Sequence, residues 1–452
     1  MKNIFTKTLL SSALLVATGA ANAAAFQLAE ISTSGLGRAY AGEAAIADNA
    51  GVVATNPALM SLFKRPEISL GAIYVDPNID IEGTTLYGTG ADTNANAKNI
   101  AKSAAVPNIY FVAPLNDKFA VGGGLNVNYG LATEYDDNYS AGFIAGKTDL
   151  TALNLNLSGS YKILDSLSLG LGVNAVYADA TVERRLGSLN ATPYLTAAQR
   201  YFAAGNTAGA RAALAAARNA ANNPSSAVLR KIEGDEWGFG WNAGLMWQVT
   251  ETSRFGLAYH SKIDIDFEGN YSDAGDALMI APGYSLSQGN QSGSLTLPLP
   301  AYWEFSGFHQ VTDKFAFHYS WKYTEWSKFK ELRAVGSSGK ELFQKTEKYR
   351  DSSRLALGAT YNATDALTVR AGIAYDETAA GDHHSISIPD TDRMWYSVGA
   401  TYRFTPDLSV DVGFAHLRGS NNHFKETQSG VVTDVKVKAT ANLYGLNLNY
   451  RF

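Results

Sequence analysis

The chain of 452 residues has no cysteine and, after its N-terminal segment, no long apolar run. Without cysteine no disulfide can hold the fold, so packing or a closed ladder of hydrogen bonds must do so. No apolar run approaches the roughly 20 residues that a membrane-spanning helix needs, which excludes a helical membrane protein. The formal charge is −5 and no basic domain stands out, so we expect no nucleic-acid partner.

Signatures of catalysis and metal binding are also missing. The sequence contains no G-x-S-x-G, H-E-x-x-H or P-loop motif. Among the 7 histidines, His383 and His384 are adjacent rather than spaced for chelation, and we interpret them as a solvated pair. The sequence therefore predicts no catalytic residue, no metal site and no cofactor, and an enzyme such as a surface lipase ranks last among the hypotheses.

The N-terminal residues have the layout of a secretory signal peptide. Lys2 and Lys7 form a positive segment, residues 8–18 are mostly apolar, and residues 21–23 (Ala-Asn-Ala) form a small-x-small cleavage site. We expect residues 1–23 to be removed, and the loss of two lysines takes the formal charge from −5 to −7. An uncleaved membrane anchor is the alternative, but the apolar core is shorter than a spanning helix. The protein is therefore predicted to be exported.

The clearest pattern in the remaining chain is alternation of apolar and polar residues. From Leu153 to Ile163 the odd positions are apolar or glycine and the even positions are polar, and the segment from Leu167 to Tyr177 largely repeats this. A period of two indicates β-strands with one apolar face. These runs last ten or more residues, which exceeds the usual ~5–6 of globular strands and approaches the ~9–11 of tilted membrane strands. A soluble sandwich would turn the apolar face to a second sheet, and a barrel would turn it to lipid; the length favours the barrel.

Short turns and long connections alternate along the chain, and their number predicts the topology. Six short turns rich in Asp, Asn, Thr and Pro lie at residues 116–117, 165–166, 250–252, 312–313, 364–365 and 405–407. Seven longer connections lie at residues 82–103, 131–148, 184–235, 269–294, 334–341, 378–392 and 419–433. We therefore predict an all-β fold, a 14-stranded antiparallel transmembrane β-barrel over residues 65–452. Short turns on one side and long loops on the other are typical of bacterial outer-membrane barrels, with the turns in the periplasm.

The end of the chain and its aromatic content favour the same compartment. Apolar residues at every second position from Tyr444 end in Phe452. A final aromatic residue resembles the signal by which outer-membrane barrels engage the barrel-assembly machinery. The 24 Tyr, 20 Phe and 7 Trp suit anchoring at two membrane interfaces. We expect a monomer in the outer membrane of a Gram-negative bacterium, in contact with membrane lipids and lipopolysaccharide.

Two regions lack the strand pattern. Residues 24–64 are rich in small residues, and an unfilled barrel of this width would leak small solutes, so we predict that they form a hatch inside the lumen. Asn56, Pro57 and Ala58 would anchor this hatch by turning the chain toward the wall. Residues 191–222 are rich in alanine, which favours helix, so the connection at 184–235 is predicted to carry an external helical insert. A solvated low-complexity loop is the alternative.

Several motifs together resemble one known family, the long-chain fatty-acid transporters of the Gram-negative outer membrane. The motifs are Phe26-Gln27-Leu28, residues 34–40 (SGLGRAY), 45–48 (AIAD), Asn56-Pro57-Ala58, and residues 128–134 (NYGLATE), 237–244 (WGFGWNAG) and 385–390 (SISIPD). The likeness covers essentially the whole mature chain and is weakest around residues 191–226 and 270–292. That family also includes transporters of aromatic hydrocarbons.

The resemblance implies passive transport of a long-chain fatty acid or a similar amphiphile. The cargo would be captured among the outer loops, pass to a lumenal pocket, shift the hatch and leave sideways where the third strand is kinked. That kink maps onto Gly130, and glycine within a strand is compatible with a bend or bulge. The resemblance assigns the cargo carboxylate to Arg184 and Lys345, with Asp376 in the same pocket and Phe26 as the apolar contact near the gate. A charge-assisted contact in a water-poor pocket would orient such a ligand.

Strand parity provides an independent check on the charged residues. If the register holds, Arg184 on the fifth strand and Asp376 on the eleventh face the lumen, because the odd positions of both strands face lipid. Lys345 disagrees, since Leu355 and Leu357 face outward on the tenth strand and unbroken parity would place Lys345 outward too. Either a bulge intervenes or Lys345 lies above the apolar band. A solvated charge at the outer rim is the alternative for each cation.

Other functions remain open beside fatty-acid transport. A hydrocarbon channel has a cargo without an anionic head, whereas Arg184 and Lys345 favour an acid. A general porin would conduct ions strongly, which a filled lumen would prevent. A surface adhesin would carry no lipid cargo at all.

Overall fold

The chain folds into a closed β-barrel around its own N-terminal segment. The structure, a computed structural model, describes residues 25–87, 92–274, 289–428 and 430–452. The predicted signal peptide, residues 1–23, lies outside the described residues. The first and last strands pair antiparallel over their whole length, from Glu67 opposite Arg451 to Leu86 opposite Val432, which closes the sheet. All strand pairs between neighbours along the wall are antiparallel.

Within the described residues the wall has fourteen strands, five of which consist of two segments. The strands are β1 (Glu67–Leu86), β2 (Ala104–Pro114), β3 (Phe119–Glu134), β4 (Lys147–Leu164), β5 (Leu167–Arg185), β6 (Val228–Thr250), β7 (Ser253–His260 and Ile263–Asp273), β8 (Gln291–Leu299 and Tyr302–Gln310), β9 (Phe315–Thr324 and Glu331–Gly336), β10 (Glu341–Thr346 and Ser352–Asn362), β11 (Leu367–Asp376), β12 (Arg393–Arg403), β13 (Leu408–Gly419 and Asn422–Gln428) and β14 (Val431–Arg451). The predicted fold class is therefore confirmed.

The outward face of the wall is the apolar one. Leu157, Leu171 and Phe239 are exposed by 66%, 67% and 73%, whereas the polar side chains of Asn156 and Ser158 are buried inside. A water-soluble sheet would bury its leucines, so this reversed arrangement is the one that lipid requires. It is also the arrangement that the alternation in β4 and β5 predicts.

All six short turns lie where the sequence predicts them, but two of the seven long connections are much shorter than predicted. Residues 334–341 contain only a four-residue turn, 337–340, between β9 and β10. In place of a long loop at 419–433, β13 reaches Gln428 and β14 begins at Val431. These strand ends carry exposed polar side chains such as Lys425 and Lys436. They have no apolar stripe because their outward face does not meet hydrocarbon, so the alternation that marks membrane strands is absent.

Residues 25–63 are largely buried inside the barrel. They contain the short helices α1 (Thr33–Leu36) and α2 (Val52–Thr55) and a 3-10 helix, Pro57–Leu62. Backbone N–H groups of this segment donate to serines of the wall, Gly42 to Ser320 (2.7 Å) and Ala44 to Ser306 (3.0 Å).

An Asn-Pro turn seats this segment against two glycines of the wall. Asn56 Nδ2 donates to the carbonyl oxygens of Ala44 (2.7 Å) and of Leu245 on β6 (3.1 Å). Gly170 and Gly244 lie opposite each other on β5 and β6. A Cβ at Gly244 would lie 1.8 Å from Asn56 Oδ1, and one at Gly170 would lie 2.4 Å from the carbonyl carbon of Pro57. Because neither position carries a side chain, the Asn-Pro turn packs directly against the backbone of the wall.

Buried ion pairs also tie this segment together and to the wall. Arg38 contacts the carboxylates of Glu43 and Asp48 at 2.5 Å each, and Arg370 on β11 lies 3.4 Å from Asp48. Burial opposes ionisation of Asp48, but Arg370 and Arg38 outweigh it and lower the pKa of Asp48 to about 2. The carboxylate thus links the segment to the wall as an anion.

The connection between β5 and β6 is helical. It contains a 3-10 helix (Gly187–Leu189), α3 (Thr192–Ala203) and α4 (Thr207–Ala220), and Asn206 caps α4 by accepting from Gly209 N (2.8 Å). Another 3-10 helix, Trp326–Lys328, interrupts β9, and a two-residue strand, Thr93–Asn94, pairs with β1. No helix in the described ranges is long and apolar enough to cross a membrane.

Candidate functional site

An apolar cavity lies inside the barrel. Its lining comes from the N-terminal segment, β3 to β10 and the loop before β12. The apolar lining residues are Phe26, Leu131, Leu150, Ala180, Val182, Ile232, Phe267, Leu295, Leu297, Phe329, Leu332, Ala334, Leu342, Phe343 and Ile388. Such a lining favours an acyl chain or another hydrophobic group.

Phe26 closes one end of this cavity within an aromatic cluster. Its ring centroid lies 4.8 Å from that of Trp326, 5.5 Å from Phe329 and 6.1 Å from Tyr129. Edge-to-face contacts of this kind fix the ring in place. The structure thus places Phe26 next to the cavity, as its predicted role requires.

The backbone on both sides of Gln27 pairs with the kinked part of β3. Gly130 N donates to Phe26 O and Leu28 N donates to Asn128 O, both at 2.9 Å. The register of β3 against β4 shifts between Val127 and Tyr129, which marks a β-bulge. The predicted kink at Gly130 therefore lies just after this bulge. Residues 26–28 are called the gate segment below.

The gate segment occupies a gap between β2 and β3. Pairing of these strands ends at Asn108 opposite Asn126, and contact resumes only at the bridge between Ala101 and Thr133. Between these points the gate segment pairs with β3 in place of β2. The wall is thus completed here by a segment that is not part of the barrel.

Arg184 is buried inside the barrel, as strand parity predicts. It is 5% exposed, and its Nη1 donates to the carbonyl oxygens of Glu183 (2.9 Å) and Lys147 (3.0 Å) and to Thr148 Oγ1 (3.3 Å). Thr148 lines the apolar cavity. The guanidinium therefore lies beside the cavity, and Nη2 and Nε have no hydrogen-bond partner among the described residues.

Lys345 also points inward, because residues 347–351, an irregular stretch that begins with a bulge, reverse the parity of β10. The N–H groups of Glu347 and Lys348 both donate to Lys330 O at 2.8 Å, so two residues oppose one, and Lys348 has φ 43°. Tyr349 is still buried, and from Ser352 onward the even positions, such as Arg354, are buried instead. Of the two alternatives that the sequence leaves open, the bulge is the one observed, and unbroken parity is wrong.

Lys345 belongs to a cluster of five charged residues, called the charge cluster below. Its Nζ lies 3.5 Å from Oε1 of Glu347 and 3.5 Å from Oε1 of Glu426, and it also contacts Ser385 Oγ and Ser387 Oγ. Arg184 and Arg230 are opposite each other on β5 and β6, and Arg230 lies 5.6 Å from the ring centroid of Phe343. The members are Arg184, Arg230, Lys345, Glu347 and Glu426.

The charge cluster has one more cation than it has carboxylates. Three cations face two carboxylates, and Glu347 is 0% exposed without a hydrogen bond to either oxygen among the described residues. One further monoanion would balance the cluster itself, although Asp149 and Glu233 also line the apolar cavity. Arg230, Glu347 and Glu426 are not among the residues predicted from sequence. Arg230 and Glu426 fall in stretches predicted to be loops, and no motif marks Glu347.

Asp376 faces the lumen, as parity predicts, but it is not part of the charge cluster. It is 2% exposed, and its cross-strand neighbours are Arg354 and Arg393. Glu30 shares these charged neighbours; burial raises the pKa of Glu30 to about 7, and backbone hydrogen bonds and the two arginines oppose this. The structure thus places Asp376 with the N-terminal segment rather than with Arg184 and Lys345. Its role in ligand binding stays a prediction.

A closed barrel with an apolar outer face, a filled lumen and a cavity for an amphiphile defines an outer-membrane transport protein. The sequence matches the family described as "Outer membrane protein transport protein (OMPP1/FadL/TodX)" over residues 14–452, and the chain belongs to this family. This membership confirms the resemblance stated above, the transport class and the location in the outer membrane of a Gram-negative bacterium.

Individual relatives resemble the chain over nearly its whole length. It is 60% identical to the "47 kDa outer membrane protein" of Pasteurella multocida over 453 residues, which covers 99% of each chain. It is 46% identical to a "Long-chain fatty acid transport protein" of Escherichia coli over 458 residues, covering 100% of this chain and 99% of the relative. The crystal structure of a Pseudomonas aeruginosa FadL homologue matches with a TM-score of 0.80 at 25% identity, covering 95% of this chain and 100% of that chain.

Proposed function

We propose that this protein carries long-chain fatty acids passively across the outer membrane. The observation that carries the proposal is the apolar cavity together with the charge cluster, in which three cations face two carboxylates. An acyl chain fits the apolar lining and a single carboxylate balances the cluster. A water-filled porin needs neither feature.

Each candidate residue then has a part in binding. Arg184, Arg230 and Lys345 receive the carboxylate, and the chain extends toward Phe26. Asn56, Pro57 and Ala58 hold the hatch to the wall while residues nearer the N-terminus move. The cargo enters among the outer loops and leaves between β2 and β3, next to Gly130, once the gate segment has withdrawn. The pairing of this segment with the bulged part of β3 supports the route, because only a few hydrogen bonds hold the gap closed.

We also propose the organisation that goes with this function. Residues 1–23 are a cleaved signal peptide, residues 24–64 are the hatch and residues 65–452 are the barrel. The protein acts as a monomer without catalysing a reaction, lies among lipids and lipopolysaccharide, and engages the barrel-assembly machinery through Phe452. Replacing Phe452 by Ala should lower the amount of assembled barrel in the outer membrane.

Saturable uptake of labelled oleate by cells tests the proposal. The cells should lack a fatty-acid transporter of their own and express either this protein or its Arg184→Ala variant. We expect saturable uptake that falls about tenfold or more in the variant, the factor for losing one charge-assisted hydrogen bond. Arg211→Ala, on the exposed face of α4, is the matched control and should have no effect. Equal uptake with and without the protein would overturn the proposal.

A hydrocarbon channel is the second candidate, and the apolar lining of the cavity favours it. A neutral aromatic molecule would fill this space without needing the charge cluster. Competition between oleate and toluene for the purified protein separates the two. Strong displacement of oleate by toluene, together with unchanged oleate affinity in Arg184→Ala, would favour the hydrocarbon.

A further inference from the structure

A second cavity adjoins the gap between β2 and β3, on the other side of the gate segment from the apolar cavity. Phe26 lines the apolar cavity, whereas Gln27 and Leu28 line the second one, which we call the amide chamber. Its other lining residues are Ile31, Ala54, Asn126, Asn128, Tyr129, Asn154, Asn174, Trp241, His260, Ser261, Ile263, Leu299 and Tyr302.

No Asp, Glu, Lys or Arg lines the amide chamber among the described residues. Its titratable side chains are Tyr129, Tyr302 and His260, and we take His260 as neutral. His260 Nε2 lies 3.1 Å from Ala54 O, which can only accept, so Nε2 carries the proton. Nδ1 of His260 is buried without a partner and is therefore an acceptor. The chamber thus contrasts with the charge cluster, where three cations converge.

The amides of the chamber leave hydrogen-bonding capacity unused. Asn154, 6% exposed, donates through Nδ2 to Asn126 Oδ1 at 3.2 Å, but its own Oδ1 has no partner in the described part of the chain. Asn128 Oδ1 is likewise buried and unpartnered there. Because an unpartnered buried polar atom is unfavourable, these oxygens and His260 Nδ1 favour a ligand group that donates a hydrogen bond.

A carboxylate suits this chamber poorly, since it can only accept and would face the unpartnered oxygens of Asn128 and Asn154. The neighbouring cation, Lys322, contacts the ring of Tyr302, with Nζ 4.1 Å from the ring centroid. A protonated carboxyl group suits it, because O–H donates to an amide oxygen and C=O accepts from an amide N–H. We propose that the amide chamber is an exit subsite that binds the cargo head group in its neutral, protonated form. As it leaves the charge cluster, the carboxylate takes a proton from solvent hydronium, which becomes water, so one O–H bond forms and one breaks.

The two sites then act in sequence, which rests on the proposed function. The charge cluster selects the anion from water, and the amide chamber passes the neutral acid toward the gap. A neutral head group enters the hydrocarbon region at far lower cost than a charged one.

Two probes with the same chain but different head groups test this inference on the unmodified protein. Palmitate can be protonated, whereas hexadecane sulfonate stays anionic. We expect both to bind the purified protein with affinities within a few-fold, because both satisfy the charge cluster. In cells, palmitate uptake should exceed sulfonate uptake at least tenfold. Equal uptake of the two would overturn the exit subsite, whereas failure of both to bind would instead overturn the proposed function.

Two variants test the role of Asn154 in the amide chamber. Asn154→Leu keeps the side-chain volume but removes the amide, and it should slow palmitate uptake about tenfold, the factor for one lost hydrogen bond. Binding of palmitate at equilibrium should not change. Asn362→Leu, at the turn end of β10, is the matched control and should change neither quantity. Unchanged uptake in a stably assembled Asn154→Leu protein would also overturn the inference.

Discussion

Nζ of Lys345 lies 3.5 Å from Oε1 of Glu426, so the cation that the resemblance offers to a cargo carboxylate already has a protein carboxylate beside it. The same ammonium contacts Glu347. The net charge of the whole cluster, rather than one free lysine, therefore decides whether an anion binds. This relationship leads to opposite predictions for the two partners.

Removing the cation should weaken binding. Lys345→Met keeps the length of the side chain but takes the charge cluster from one surplus cation to none. We expect the Kd for oleate to rise about 10–100-fold, the range for a lost hydrogen bond to a charged group. Fluorescence or calorimetric titration of the purified protein measures this. Lys340→Met, in the exposed turn of the same hairpin, is the control and should leave the Kd unchanged. Equal Kd values in Lys345→Met and Lys340→Met would contradict the role of Lys345.

Removing one carboxylate should strengthen binding. Glu426→Gln leaves two surplus cations in the charge cluster. Its side-chain oxygen can still accept from Ile386 N, which now donates to Glu426 at 2.9 Å. The same titration should show a several-fold lower Kd for oleate. Weaker binding in this variant would mean that Glu426 acts on the ligand in another way than by its charge.

The contact between Gly244 and the Asn-Pro turn should keep the lumen closed. A Cβ at Gly244 would lie 1.8 Å from Asn56 Oδ1, so Gly244→Ala should displace the hatch anchor and raise the ion conductance of single proteins in planar bilayers. Gly159→Ala is the matched control, because the nearest atom to its Cβ would be Ala120 O at 3.9 Å. Equal low conductance in both variants would show that closure of the lumen by the hatch does not depend on this contact.

Docking of the gate segment should weaken as the pH rises toward neutrality. Burial raises the pKa of Glu30 from 4.5 to about 7. Below pH 4.5 the Glu30 carboxyl group is neutral whether the segment is docked or released. Between pH 4.5 and about 7 it ionises only in the released segment. Docking therefore loses stability as the pH rises through about 7. Hydrogen-exchange protection of Gly130 N, which donates to Phe26 O, should therefore fall between about pH 5 and about pH 8.

A substitution isolates the contribution of Glu30. In Glu30→Gln the protection factor of Gly130 should no longer change with pH beyond the intrinsic exchange rate. The amide of Lys162, which donates to Lys118 O between β3 and β4 at 2.8 Å, serves as the internal reference. An identical pH dependence in both proteins would assign the effect to another group.

The barrel could be predicted from sequence, because lipid imposes a period of two on every strand that it touches. The alternation from Leu153 onward indicates the strands, and the six short turns with the seven connections between them predict the strand number. The charge cluster could be predicted only in part. Arg184 follows unbroken parity, whereas the orientation of Lys345 depends on a bulge at Glu347 and Lys348 that no apolar pattern marks. Glu426 was missed for a related reason, since its strand extends beyond the lipid and loses the apolar stripe.

The position of a bound fatty acid would show directly which residues receive its carboxylate. Crystals of the protein with two brominated palmitates, one labelled beside the carboxyl group and one at the far carbon, would give anomalous peaks for each end. The account predicts the first bromine beside Arg184 and Lys345 and the second beside Phe26 and Phe329. Peaks on the outer loops alone, or with the two ends reversed, would contradict it.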